Sequence, residues 1–425
     1  MIDLLLSNAR LAGRGKDRLL SLAVEDGKIA GIAPRIEAAA RETLDCGGRL
    51  VSAGLVESHI HLDKARIIER CAPEAGRRAD TVKRVQAAKR SFTTEDVYAR
   101  AKATLEAAIL QGTTRMRTHV EVDPPLGLAG LEAIQALAKE YAWAIELEIC
   151  VFLQEGMTNV PGAEALLLAA LARGAAIAAV GGAPSYDTDS AGQIHRLFEL
   201  GRAHDLDVDL HLDFGNSPEG MDLDLVMTLA EETHYGGRTN VGHVTKLSTL
   251  SPENQAPIAR RLAAAGIAVT VLPATDLFLM GRDQSYDVRR GIVDVNAYDR
   301  LGVVCSIASN NILNPFTPFG DCSLLRMANL HANALQVSSP ADLTACFEMV
   351  SSKAAHIMRC ADYGLAPGLP ADLVVIDAAG EAEAVAEVAP VLHAFKRGRR
   401  TVTRAPALLH EAPLPRAGEG GARGR

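Results

Sequence analysis

Aromatic side chains are scarce in this chain: of 425 residues only 4% are Phe, Trp or Tyr, with a single Trp. The core must be filled by aliphatic layers, and Ala, Leu, Val and Ile supply them within a hydrophobic fraction of 48%. That balance suits an enzyme of helices and strands. Excess positive charge is also missing. A formal net charge of −8 and a pI near 5.9 argue against nucleic acid or an anionic membrane as the main partner. The seven cysteines are scattered and form no C-x-x-C pair, which argues against a disulfide framework or a zinc ribbon and for reduced thiols. No apolar run reaches the roughly 20 residues of a transmembrane helix. The N-terminal Met1-Ile2-Asp3-Leu4-Leu5-Leu6 carries an acid where a secretory signal carries base, and its apolar stretch is short. The expectation is a cytoplasmic protein with no nucleic-acid or membrane partner; homo-oligomerisation stays open.

The length exceeds a usual single core, so a second domain is expected. Both ends are rich in strand patterns. Residues 3–9 and 20–25 are apolar and extended. The turn Asp26-Gly27-Lys28 leads into a hairpin partner, and 391–396 and 400–404 flank Arg397-Gly398-Arg399 in the same way. The middle alternates. Strands are expected over 50–61, 114–122, 145–154, 176–181, 208–213, 240–245, 267–273 and 303–310. Helical patterns at 94–110, 128–141, 163–173, 190–204, 221–233 and 252–265 separate most of them. Eight such units predict an α/β fold, a (β/α)8 TIM-like barrel, with a small β-sandwich made by both chain ends. The expected division is sandwich over 1–53, barrel over 54–361, sandwich again over 362–405 and a disordered tail over 406–425.

Barrel enzymes place their chemistry at the C-terminal strand ends. The first strand ends in His59-Ile60-His61. Residues i and i+2 of a strand share a face, so both imidazoles project together, as a shared divalent metal requires. The other ends carry His119, then Gln154 and Glu155, then His211 and Asp213, then His243 and Lys246, then Asp276, and last Ser309, Asn310 and Asn311. Five of the 12 histidines fall at such ends, which a set of unrelated core histidines does not explain.

On these residues the chain resembles the amidohydrolase superfamily, in the group containing cytosine deaminase and N-isopropylammelide amidohydrolase. The resemblance rests on His59-Ile60-His61-Leu62-Asp63-Lys64, Arg117-Thr118-His119-Val120, Phe152-Leu153-Gln154-Glu155-Gly156, Asp209-Leu210-His211, Gly242-His243, Ala308-Ser309-Asn310-Asn311 and Pro315-Phe316-Thr317-Pro318-Phe319-Gly320. It implies that His59, His61 and His211 ligate one divalent metal ion, Zn or Fe, and that His243 is either the catalytic histidine or one just behind the metal, polarising the reacting group or holding the metal-bound water. Gln154 would read a ring N–H and carbonyl of a heterocyclic substrate, with Asp213, Phe214 and Phe316 as further substrate-binding candidates. The fourth strand ends in Gly181-Gly182-Ala183-Pro184, without a lysine to bridge two metals, so one metal is expected.

Two positions depart from the group. Where it normally carries a metal-binding aspartate base, this chain has Asn310, an amide that cannot act as a general base near neutral pH. Where cytosine deaminases carry a glutamate three residues after the third histidine, this chain has Phe214. The reading is therefore a metal-dependent hydrolase acting on a C–N bond of a nitrogen heterocycle or small cyclic amide. The alternative is a catalytically altered or inactive barrel that binds a small ligand. A third possibility takes a fourth metal ligand from Asp276 or Asp321.

Overall fold

The computed structural model describes residues 2–15, 17–71, 78–282, 284–289 and 291–409. Most of the tail expected to be disordered, 410–425, lies outside them.

Two eight-stranded sheets organise the chain. The first uses both ends: β1 (Ile2–Leu11), β2 (Leu20–Glu25), β3 (Lys28–Ala33), β4 (Ala40–Asp45) and β5 (Leu50–Ala53) from the start. The barrel strands follow as β6 (Leu55–Ile60), β7 (Thr113–Glu121), β8 (Glu146–Leu153), β9 (Ile177–Gly182), β10 (Asp207–Leu212), β11 (Thr239–His243), β12 (Ile267–Val271) and β13 (Cys305–Ile307). Then β14 (Leu373–Ile376), β15 (Val391–Lys396) and β16 (Arg399–Thr403) complete the first sheet, in the order β16-β15-β14-β5-β1-β2-β3 with β4 on β1. The join between the two ends is the antiparallel pair β5–β14, with Val51 opposite Val375. Its core is aliphatic apart from Phe395 and Cys46, and includes Leu4, Leu6, Leu22, Val24, Val51 and Leu373.

The barrel strands run parallel in sequence order from β6 to β13. The ring closes through a bridge between Ile60 and Asn310, in which His61 N–H donates to Asn310 C=O at 2.8 Å and Asn310 N–H to His59 C=O at 2.9 Å. Helices cover the outside: α1 (Arg78–Lys89), α2 (Thr94–Leu110), α3 (Ala129–Glu140), α4 (Ala163–Leu171), α5 (Ser190–Ala203), α6 (Leu223–Glu232), α7 (Pro252–Ala265) and α8 (Pro273–Leu279) come first. The expected barrel with a small β unit built from both chain ends is thus the fold. Among the described residues no helix is long and apolar enough to cross a membrane.

Two local expectations change. The stretch 50–61 is two strands, because the chain leaves one sheet for the other at Gly54. There the Gly54 N–H donates to Asp372 C=O at 2.9 Å, and a Cβ would sit 2.1 Å from the Thr114 hydroxyl. Asp276 lies on α8 rather than on the seventh strand, since Pro273 starts that helix just after β12.

The barrel interior is polar rather than aliphatic. Ser58, Ser306, Thr270, Asn240 and Asp209 form a hydrogen-bonded ladder across five strands, each link between 2.8 and 3.0 Å. Below it the buried Arg117 guanidinium pairs with Asp207 at 2.9 Å and Glu148 at 3.1 Å. Alternation on β7 and β10 produces this: Arg115, Arg117, His119 and Glu121 share one face, as do Asp207, Asp209 and His211.

Candidate active site

Above the polar ladder five imidazoles meet. His59 and His61 leave the end of β6, His119 comes from β7, His211 from β10 and His243 from β11. His211 Nε2 lies 3.1 Å from His59 Nε2 and 2.9 Å from His61 Nε2, while the His119 ring stacks on His59 at 3.9 Å between centroids. Burial, reinforced by the neighbouring imidazoles and, for His59 and His61, by Lys64, pushes His59, His61 and His211 far below the ordinary value of 6.5, so all three are neutral at neutral pH. A neutral imidazole has one N–H and one lone pair. A single ring proton on His211 Nε2 can serve only one of its two close nitrogen contacts, whereas a divalent cation serves all three rings. The residues present therefore fit a metal. His59, His119 and His211 also offer nitrogens that lie within 4.8 Å of one another, so His119, which the sequence reading noticed but did not assign, joins the candidates. Asp209 stands behind this cluster, 3.5 Å from His119 Nε2. Burial opposes its ionisation, but His119 and Arg117 outweigh that and hold the carboxyl below its usual range.

The imidazoles open into a small, half-open cavity. Its walls include His61, His211, His243, Gln154, Lys64, Asn310, Phe214 and Phe316. His243 Nδ1 lies 2.6 Å from Asp276, whose second oxygen accepts the Leu272 N–H at 3.1 Å. That pairing places the ring proton on Nδ1 and leaves the Nε2 lone pair toward the cavity. Asn310 Nδ2 lies 3.5 Å from this Nε2, and Asn310 Oδ1 is buried with no hydrogen-bond partner among the described residues. Asn310 has φ +59°, a left-handed conformation that Asn tolerates better than most residues. The Phe214 ring meets His243 edge-on at 5.1 Å, so an apolar wall stands on that side.

Asp213 does not reach the cavity. The chain turns at φ +48° just after β10, and both carboxylate oxygens accept backbone N–H groups at the start of α6, from Asp222 at 2.9 Å and Leu223 at 3.1 Å. Asp213 therefore caps the start of α6 and is not among the cavity-lining residues, where the sequence had suggested a substrate contact. Asp321 pairs with Arg326 at 2.9 Å and is not among the cavity-lining residues. Both Asp276 oxygens thus already have a hydrogen-bond partner, and Asp321 stands away from the cavity. A second acidic group, Glu121, Asp123 and Glu155, already holds a cation: the Lys89 ammonium of α1 bonds all three. The sequence pattern did not single out Lys89 or Glu121, and it placed Asp209 and Lys64 in motifs without giving them a role. The every-second-residue polar pattern of β7 and β10 could have flagged Glu121 and Asp209.

Residues 127–402 match the Amidohydrolase family. The chain is 27% identical to a pterin deaminase of Rhizobium rhizogenes over 84% of its length and 82% of that protein. It is 24% identical to the N-isopropylammelide isopropyl amidohydrolase of Pseudomonas sp. over 93% of this chain and 96% of that one. Its structure superposes on that of 5-methylcytosine deaminase from Klebsiella pneumoniae liganded with 5-fluorocytosine with a TM-score of 0.90 and 30% identity, covering 96% and 99% of the two chains. With the imidazole cluster at the strand ends of its barrel, the chain belongs to the amidohydrolase family, hydrolases of C–N bonds outside peptides.

Proposed function

We propose that the protein hydrolyses a C–N bond of a nitrogen heterocycle or small cyclic amide with the help of one divalent metal, Zn or Fe, held by His59, His61 and His211. A divalent ion there supplies Lewis acidity and a water acidic enough to ionise near neutral pH. His243 is the acid–base group. Asp276 holds its Nδ1–H, so Nε2 can take a proton from the attacking water and return it to the leaving nitrogen. Asn310 orients rather than ionises. Phe214 and Phe316 close the cavity against water, and Gln154 contacts the ring. The observation that carries the proposal is the His243–Asp276 pair, which faces the three imidazoles across one cavity and offers a base where Asn310 cannot.

The test is release of ammonia or amine from 5-methylcytosine, pterin and N-isopropylammelide by metal-loaded protein. One of these, or a close analogue, should turn over. Asp276→Asn should lower kcat by about 10²–10⁴-fold with metal content unchanged. The second reading, a ligand-binding barrel without turnover, rests on Asn310 and Phe214, which stand where the group carries its aspartate and glutamate. Tight binding of these rings without any release would favour it.

A further inference from the structure

One wall of the cavity is set by a buried ammonium. Lys64 follows β6, and its side chain is almost fully buried. Its Nζ donates to Glu121 at the end of β7 and, at 3.1 Å, to Gln154 Oε1 just after β8. Asp63 fixes this corner by accepting the Lys64 N–H at 2.9 Å and the Glu121 N–H at 2.8 Å. The rings of Phe316 and Phe152 flank Nζ at 5.1 and 5.8 Å. Glu121 is in turn held by Lys89 at 2.6 Å, so the ammonium belongs to a charge-paired chain that crosses from α1 to the cavity.

An ammonium has only donors, so the amide end facing it must be the carbonyl. Gln154 therefore turns its oxygen to Lys64. Its Nε2 donates to nothing among the described residues, and both Lys64 and Gln154 line the cavity. Lys64 keeps a third N–H beyond those given to Glu121 and Gln154. The wall thus offers hydrogen-bond donors.

We propose that Lys64 is a positioning residue that fixes the amide sense of Gln154, so that the cavity selects a ring presenting an acceptor at this wall, a carbonyl oxygen or an unprotonated ring nitrogen, over one presenting N–H. The proposal rests on the heterocycle reading above for its ligand class, and it replaces the expectation that Gln154 reads an N–H and a carbonyl together. A ring N–H placed here would face another donor, and a desolvated donor without an acceptor is costly.

The experiment compares two pyrimidines of nearly equal shape, 4-amino-2-oxopyrimidine and 2,4-diaminopyrimidine, by calorimetric titration of the metal-loaded protein. Native protein should bind the oxo compound at least about tenfold more tightly. In Lys64→Met the amide is free to turn and this ratio should fall toward one, while Glu121 keeps its Lys89 partner and the fold is retained. Gln154→Glu, with Lys64 in place, presents acceptors only and should reverse the preference. An unchanged ratio in both variants would overturn the proposal. Neutron diffraction of deuterated native crystals gives an answer that needs no ligand: deuterons on the Gln154 atom away from Lys64 support the proposal, and deuterons on the atom facing it overturn the proposal. If neither pyrimidine binds but the deuterons lie away from Lys64, the heterocycle reading fails and the positioning role stands.

Discussion

Asn310 decides more about this site than any other single residue. Its backbone closes the barrel beside His59 and His61, and its side chain lies next to His243 with a carbonyl oxygen that has no partner among the described residues. Asp has nearly the same shape and also tolerates a left-handed backbone. Asn310→Asp should therefore fold normally and place a carboxylate beside the cation. We expect metal affinity to rise by at least about tenfold, since opposite charges attract strongly in a partly dry site. Chelator competition on native and variant protein measures it, and equal affinities would mean that Asn310 does not face the metal. The imidazoles carry a second prediction. In the folded chain they lie far below 6.5, because burial disfavours their charged form. Protons compete for the nitrogens only when the pH falls toward those lowered values. Metal affinity should therefore stay flat from pH 8 to 6.5, where three solvated imidazoles, each half protonated, would lose about eightfold. The same competition titration at the two pH values checks it.

At the scale of elements, the tight spots lie where strands approach each other around the site. Gly181 on β9 sits opposite Asp209 on β10, and a Cβ there would fall 2.1 Å from the Asp209 carbonyl oxygen and 3.0 Å from Cys150 Sγ. Gly181→Ala should cost at least about 2 kcal/mol in urea unfolding, because a strand interior without space must shift. It should also weaken metal binding, since β10 carries His211. The control is Gly31→Ala on β3, where a Cβ meets nothing within 4 Å and the change should stay within about 0.5 kcal/mol. Much of this level was legible in the sequence. The boundaries of α2 and α7 follow from their patterns, and the strand-end histidines from the period of two. Three things were hidden because their cause lies elsewhere in the chain. The break at Gly54 depends on Asp372 and Thr114, partners that no local pattern names. The use of Asp213 as a cap depends on where the amides of Asp222 and Leu223 arrive. Lys89 matters only because α1 brings it over three carboxylates from β7 and β8.

For the whole molecule, the decisive pairing is β5 with β14, which ties the start of the chain to its end. A chain ending at residue 361 keeps every barrel strand but loses β14, β15 and β16. It should expose the apolar side of β1, β2 and β5 and aggregate on expression; a soluble protein with one cooperative melting transition would show that the barrel stands without the β unit. The same pairing bears on synthesis. The ribosome releases β5 early and β14 late, roughly 320 residues apart, an interval on the order of 15–60 s at about 5–20 residues per second. Throughout that interval the nascent chain carries an unpaired apolar edge that no amount of correct barrel folding can cover. Translation speed and chaperone supply, rather than the stability of the finished fold, should then set how much active protein a cell obtains.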